Sequence, residues 1–213
     1  MSAVLDIDAL VDALARAATR VDAIRDALNA ADRRLGDGDT GMTVAAIVGA
    51  WQAVPLRDAP DVGAALAALG RATAEATGSS LGSVIAMGLR AASRGATGRA
   101  ALDRAGVVAA LDAAVRAIGE RSGAQPGDKT VLDSLLAIDR ALADDAADAP
   151  AGTLALAAAR DALRAFRDKV SKLGRARMYG ERAIGHDDPG MLAVVLLLEA
   201  ASGAPVASAN PPR

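Results

Sequence analysis

Apolar residues recur at helical spacing along almost the whole chain. In the first segment Leu10, Val11, Leu14, Val21, Ile24 and Leu28 fall three, four or seven residues apart with one gap, drawing a single stripe. That spacing predicts one long first helix. A second is expected from Thr40 to about Ala53, stopping before Pro55, and a third over 61–76. The fourth starts at Ser79 or Ser80 and runs through "VIAMGLRAA", with Gly82 and Gly88 suited to close helix contact. A fifth is expected over 104–121. The sixth begins at Thr130, where "TVLD" resembles a capping box with Asp in place of Glu. The seventh covers Thr153 to about Leu173, and the eighth starts after Pro189 and ends near Ala201. No stretch reads as a convincing strand. The pattern therefore predicts an all-α, single-domain antiparallel bundle over 1–203, with the Pro-, Ala- and Ser-rich stretch 204–213 as a frayed tail.

Polar residues are unevenly shared among the connections. "LGDGDTG", "TGSSLG", "GAQPGDKT" and "GRARMYGERAIGHDDPG" are rich in Gly, small polar residues and charge, whereas "RDAPDV" and "ADDAADAPAGT" are ordinary. The four rich connections follow the first, third, fifth and seventh helices. In an up-and-down bundle those loops share one end, so the pattern predicts a single composite site at one pole.

Composition narrows what that site can be. The chain has 213 residues, a formal net charge of −2, three aromatics, one histidine and no cysteine. Disulfides, thiolate nucleophiles, Cys-bound zinc and multi-histidine metal sites are excluded. Dispersed charge and scarce aromatics give no basis for binding nucleic acid or an anionic membrane. The longest apolar run, "MLAVVLLL", falls far short of the ~20 residues needed to span a bilayer. The N-terminal stretch "MSAVLDIDAL" lacks the basic start of a secretory signal, so the chain reads as soluble and cytoplasmic.

Within the polar loops, Asp32, Asp37 and Asp39 stand out, with glycines at 36, 38 and 41 that allow the backbone to converge. Three hard oxygen donors suit Mg²⁺. The plain alternative, an acidic turn with Asp39 or Thr40 capping the next helix, is equally open on these residues alone. A calcium loop of the EF-hand kind fails, because the twelfth position from Asp37 is Val48. "TGSSLG" and "DDPG" each precede a helix, where free N–H groups favour phosphate but simple N-capping explains the residues too. "QPGDKT" lacks both the spacing of a P-loop and a preceding strand. Lys172, Arg175, Arg177 and Arg182 bring positive charge to the fourth loop, and His186 is a lone loop histidine with no triad partner.

Together, "DRRLGDGDTG", "GSSLGSVIAMGLRAA", "AQPGDKTVLD" and "GRARMYGERAIGHDDPG", in that order over most of the chain, resemble the L subunit of bacterial dihydroxyacetone kinase, DhaL. The resemblance implies an eight-helix antiparallel barrel with a nucleotide, ADP or ATP, and two Mg²⁺ ions at one end. It assigns the metal to Asp32, Asp37 and Asp39. It assigns nucleotide contacts to Thr40, Gly41, Met42, Thr43, Ser79, Ser80, Ser122, Val131, Arg175, Asp188, Pro189 and Gly190. Members of the family work with a K subunit that holds dihydroxyacetone covalently. In the phosphotransferase-linked type the bound ADP is recharged by a phosphohistidine carrier, the M subunit. The expected function is thus a magnesium-dependent kinase subunit that passes the γ-phosphoryl to substrate held by its partner. This chain departs from the family at Thr40, commonly His, at Thr43, often Asn, at Leu81, where a Gly follows the paired serines, and in "RARMYGE".

Other readings are a kinase subunit for another small ketose using free ATP, and a nucleotide-loaded module that contacts a transcriptional regulator. A helical carrier of apolar ligand is a third, but it leaves the acidic and glycine-rich loops without a purpose. The sugar, the phosphoryl donor and the oligomeric state, a homodimer included, are left open by the sequence.

Overall fold

The computed structural model describes residues 5–144 and 148–203. The tail expected over 204–213 and part of the connection "ADDAADAPAGT" lie outside the described residues. Nine α-helices are present among them: α1 (Ile7–Ala18), α2 (Val21–Asp32), α3 (Thr40–Gln52), α4 (Val62–Ala76), α5 (Ser80–Ala96), α6 (Arg104–Ser122), α7 (Val131–Ala143), α8 (Ala151–Phe166) and α9 (Pro189–Ser202). Short 3₁₀ segments occupy Leu56–Asp58 and Arg175–Ala183. The strands β1 (Leu5–Asp6) and β2 (Ala101–Leu102) form one small antiparallel bridge, which the sequence pattern did not reveal.

The expected first helix is two. The gap in its stripe falls at Thr19 and Arg20, where the Thr19 hydroxyl donates to Arg16 O at 2.8 Å and Arg20 leaves helical geometry. Each half then packs elsewhere: Leu10, Val11 and Leu14 meet Leu56, Ala65 and Leu69, while Ile24 and Leu28 enter the main core. The seventh expected helix, here α8, stops at Phe166 rather than near Leu173. Arg167 O accepts from Gly185 N, and Arg167 O and Lys169 O both accept from the Lys129 side chain, so tertiary partners take carbonyls that a continuing helix would use.

From α2 onward each helix packs on its successor, and α9 returns to lie against α1, α2, α3, α7 and α8. That central position explains the "MLAVVLLL" run: Met191, Leu192, Val195 and Leu196 are all buried. The helix starts are fixed by their own side chains. Asp6, Asp61, Ser79, Asp103, Thr130 and Asp188 each accept a first-turn N–H, and the Thr130–Asp133 capping box is formed. Gly88 sits against Ile118 and Ala114 of α6, as its spacing suggested. Gly82 instead abuts Thr77 in the loop before its own helix. No described helix is long and apolar enough to cross a membrane.

Candidate functional site

All four glycine-rich connections meet at one end of the bundle around an open cleft of about 400 Å³. The connections at the other end tie to one another instead: Gly98 N donates to Asp61 Oδ2 at 2.9 Å, and Arg104 caps the end of α7 through Leu142 O and Asp144 O. The alternation of rich and plain loops is thus the alternation of the two poles.

The acidic corner is built on Asp32, the last residue of α2. It is 6 % exposed, and its Oδ2 accepts from Asp39 N at 2.9 Å and Thr40 N at 3.1 Å. One buried carboxylate therefore caps α3 from the preceding helix. Asp39 stands at the N-cap position without using its own side chain there, so it is free to face the cleft. Asp32, Asp37 and Asp39 each offer an oxygen within 4.8 Å of the others. Such a set of hard donors, two of them accessible, fits a small divalent cation that keeps water or phosphate oxygens for its other positions.

The three glycines of this loop serve different ends. Gly38 has φ +81°, which favours glycine. At Gly36 and Gly41 the constraint is space. A Cβ on Gly36 would meet Asp32 Oδ1 at 2.2 Å, and one on Gly41 would meet Arg25 O at 2.0 Å.

Arg175, carried on the arm between α8 and α9, pairs with Asp37 and lies 4.0 Å from Asp39. The arm makes a second contact with the acidic loop where Tyr179 OH donates to Gly36 O at 3.4 Å. Across the cleft, the Ser79 hydroxyl caps Gly82 N at 3.0 Å, leaving its hydrogen free to donate toward the cleft, with Ser80 beside it. The start of α9 is capped by Asp188, which accepts from Met191 N at 2.9 Å. Desolvation pushes the Asp188 carboxyl up to about 6, against the pull of the Met191 and Gly190 amides and the Lys129 charge. A helix end already holding a carboxylate receives a phosphate less readily than the Ser79–Ser80 end does. Leu35, Leu81, Val84, Ile118 and Leu173 form the apolar wall between these polar corners.

Of the residues singled out in the sequence, Asp32, Asp37, Asp39, Thr40, Thr43, Ser79, Ser80, Ser122, Val131, Arg175, Asp188, Pro189 and Gly190 all line this cleft. Two stand apart. Gly41 is buried against α2, donating its N–H to Asn29 Oδ1 at 2.8 Å, and the Met42 side chain is 58 % exposed outside the cleft. Ser122 is engaged locally, its hydroxyl donating to Ile118 O at 2.6 Å. Lys172 pairs with Asp128 at 3.6 Å, Arg182 lies over the Tyr179 ring, and His186 is not among the lining residues. Three features escaped the sequence reading: the burial of Lys129, the Gly127 N–H that Asp133 accepts alongside its capping bond, and the two-pronged Arg167–Asp187 ion pair. A lysine in a polar loop carries no mark of burial, and partners far apart in the chain carry no spacing signal.

Residues 34–203 match the DAK2 domain family, a span that takes in every lining residue of the cleft but Asp32. The chain is 36 % identical over 176 residues to L-erythrulose 1-kinase of Mycolicibacterium smegmatis, covering 79 % of this chain and 30 % of that protein. It is 26 % identical to the ADP-binding subunit DhaL of PEP-dependent dihydroxyacetone kinase 1 of Listeria innocua, covering 85 % of this chain and 88 % of that one. The dihydroxyacetone kinase of C. freundii, solved with AMP-PNP and Mg²⁺, has the same fold with a TM-score of 0.67 at 24 % identity, over 92 % of this chain and 33 % of that one. The chain spans about a third of the length of the erythrulose kinase and nearly all of the DhaL subunit. On a match over most of its length, and with an all-helical fold shared with that kinase, the chain belongs to the DAK2 domain family, in its DhaL-like form.

Proposed function

We propose that this chain is the magnesium–nucleotide-binding part of a kinase for short-chain ketoses, handing the γ-phosphoryl of ATP to a sugar held by a K-type partner. The observation that carries the reading is the convergence of three carboxylates, Arg175 and the start of α5 on one cleft. Asp32, Asp37 and Asp39 would hold the metal, two Mg²⁺ ions in the full assignment. Bound magnesium supplies charge neutralisation along the phosphate chain. The Ser79 and Ser80 hydroxyls and the first amides of α5 then donate to phosphate oxygens. Arg175 adds a positive charge to the transferring group, and the apolar wall at Leu81, Val84 and Ile118 takes the base. No side chain of this chain needs to be phosphorylated.

The DhaL relative's description as a PEP-dependent, ADP-binding subunit favours a bound ADP recharged by an M-type phosphohistidine carrier. The identity to an erythrulose kinase favours a four-carbon ketose as an alternative to dihydroxyacetone. Calorimetry of the purified chain with ADP, with and without Mg²⁺, tests the reading first. Binding that depends on Mg²⁺ is expected, and no uptake of ADP would sink the proposal. In a mixture with a K-type subunit, Asp37→Asn should abolish phosphorylation of dihydroxyacetone and erythrulose while the protein stays folded. Full activity in that variant would remove the carboxylates from the assigned role.

A further inference from the structure

Lys129 belongs to neither the acidic corner nor the cleft wall, yet it is 1 % exposed. Its ammonium donates to three main-chain carbonyls, Arg167 O at 3.0 Å, Lys169 O at 2.8 Å and Ala183 O at 2.9 Å. An ammonium has three N–H bonds to give, and all three are used. The acceptors are not scattered. Arg167 and Lys169 lie where the arm leaves α8, and Ala183 lies where it returns, so one side chain gathers both feet of the arm that carries Arg175. Arg167 reinforces the same base, pairing with Asp187 at 2.7 and 2.8 Å and receiving Gly185 N on its carbonyl.

The backbone adds an independent observation. Lys129 has φ +61°, the one positive φ of a non-glycine residue among the described residues. A turn that needed only this angle would be better served by glycine. The side chain is therefore what the position requires. Burial also holds the Lys129 pKa below the ordinary lysine range. An ammonium kept in so poor a solvent needs the three carbonyls as much as they need it.

Between its feet the arm is also attached through Lys172 N, which donates to Asp128 O at 3.0 Å, and through Leu173 beside the Ile118–Leu132 cluster. Arg175, Arg177 and Met178 are exposed, and the arm reaches the acidic loop through Arg175, through Tyr179 and through Ala176, which packs with Ala183 against Leu35. Ala183, whose carbonyl Lys129 holds, belongs to the same cluster as Ala176, the neighbour of Arg175, so the tie at the feet bears on where Arg175 stands. We propose that Lys129 is a positioning residue, a buried cationic tie that fixes the base of the arm and so places Arg175 over the Asp37–Asp39 pair. For its ligand readout this inference rests on the nucleotide-binding function proposed above.

Two variants test it. Lys129→Met keeps most of the side-chain volume and removes the charge. Lys129→Gly removes the side chain but relieves the backbone, so it stays informative if the first variant does not fold. Each is compared with the unaltered chain and again in an Arg175→Ala background. The expected result is Mg·ADP binding weakened about tenfold by either variant, and no further weakening when Arg175 is already Ala. In the ligand-free protein, amide hydrogen exchange over 173–183 should quicken while exchange in α5 stays unchanged. Unchanged affinity and exchange in a folded variant would overturn the tie. Equal losses with and without Arg175 would overturn its action through that arginine. Should the unaltered chain bind no Mg·ADP, the proposed function fails, and the exchange measurement alone judges the tie.

Discussion

Asp32 and Asp188 are both carboxylates at the cleft, yet their surroundings fit them for opposite tasks. Asp32 spends one oxygen on two amides of the next helix, so its position is fixed before any ligand arrives. Asp188 is held in poor solvent, and its carboxyl titrates near 6, above the ordinary Asp value. A carboxyl with a raised pKa favours the fold most when protonated, so its contribution is complete below about pH 4 and is lost as pH rises through about 6. Replacing it by Asn, which still caps a helix, should remove that dependence. Chemical denaturation of the two proteins at pH 4 and pH 7.5 checks this. Relative to Asp188→Asn, the unaltered protein is expected to lose on the order of 2 kcal/mol over that range. At this scale the sequence was informative about residue type and silent about burial. "GDGDTG" displayed the carboxylates and glycines plainly. That Asp39 leaves the capping to Asp32, seven residues earlier, could not be read from any spacing rule.

Helices were the most legible elements, because an apolar stripe is written residue by residue and caps lie next to the turns they close. The start of α7 illustrates it: Thr130 and Asp133 announced their reciprocal bonds, and the structure forms both. The misreadings are of one kind. The break between α1 and α2 turns each half toward a different cluster distant in sequence, and the early end of α8 gives its carbonyls to distant partners. Gly41 shows the same limit, since its conspicuous place in an acidic loop suggests a ligand contact while its Cα is pressed against the backbone of α2. Gly41→Ala should therefore destabilise the protein by about 1–3 kcal/mol, because Arg25 O is backbone and cannot swing aside. Urea denaturation of that variant measures the cost. An unaffected midpoint would mean that α2 and α3 can move apart freely at this point.

The whole molecule separates its work by pole, and the two ends should respond separately to injury. Gly63, in the first turn of α4 at the end away from the cleft, has no space for a side chain: a Cβ there would meet Thr97 N at 2.6 Å and Ser93 O at 2.7 Å. Gly63→Ala is expected to lower the thermal midpoint while leaving the Mg·ADP affinity of the folded protein unchanged. A matching loss of affinity, measured by calorimetry well below the midpoint, would show that the poles are mechanically joined. That polarity could be read from the sequence because alternate loops of an antiparallel bundle must share an end. The shape of the cleft could not be, since it depends on how far each loop leans inward.

The cleft's walls begin at Asp32 and end at Gly190, and every intervening stretch of rich loop contributes to them. No shorter portion of the chain contains all of these walls, so the complete receptor exists only where α9 lies against α2. A ligand that fits there acts as a keystone. Its binding free energy falls on the whole arch at once, about 2.7 kcal/mol at a hundredfold excess over Kd. Loss of any one springing point, however remote in sequence, weakens the hold of the whole arch on that ligand.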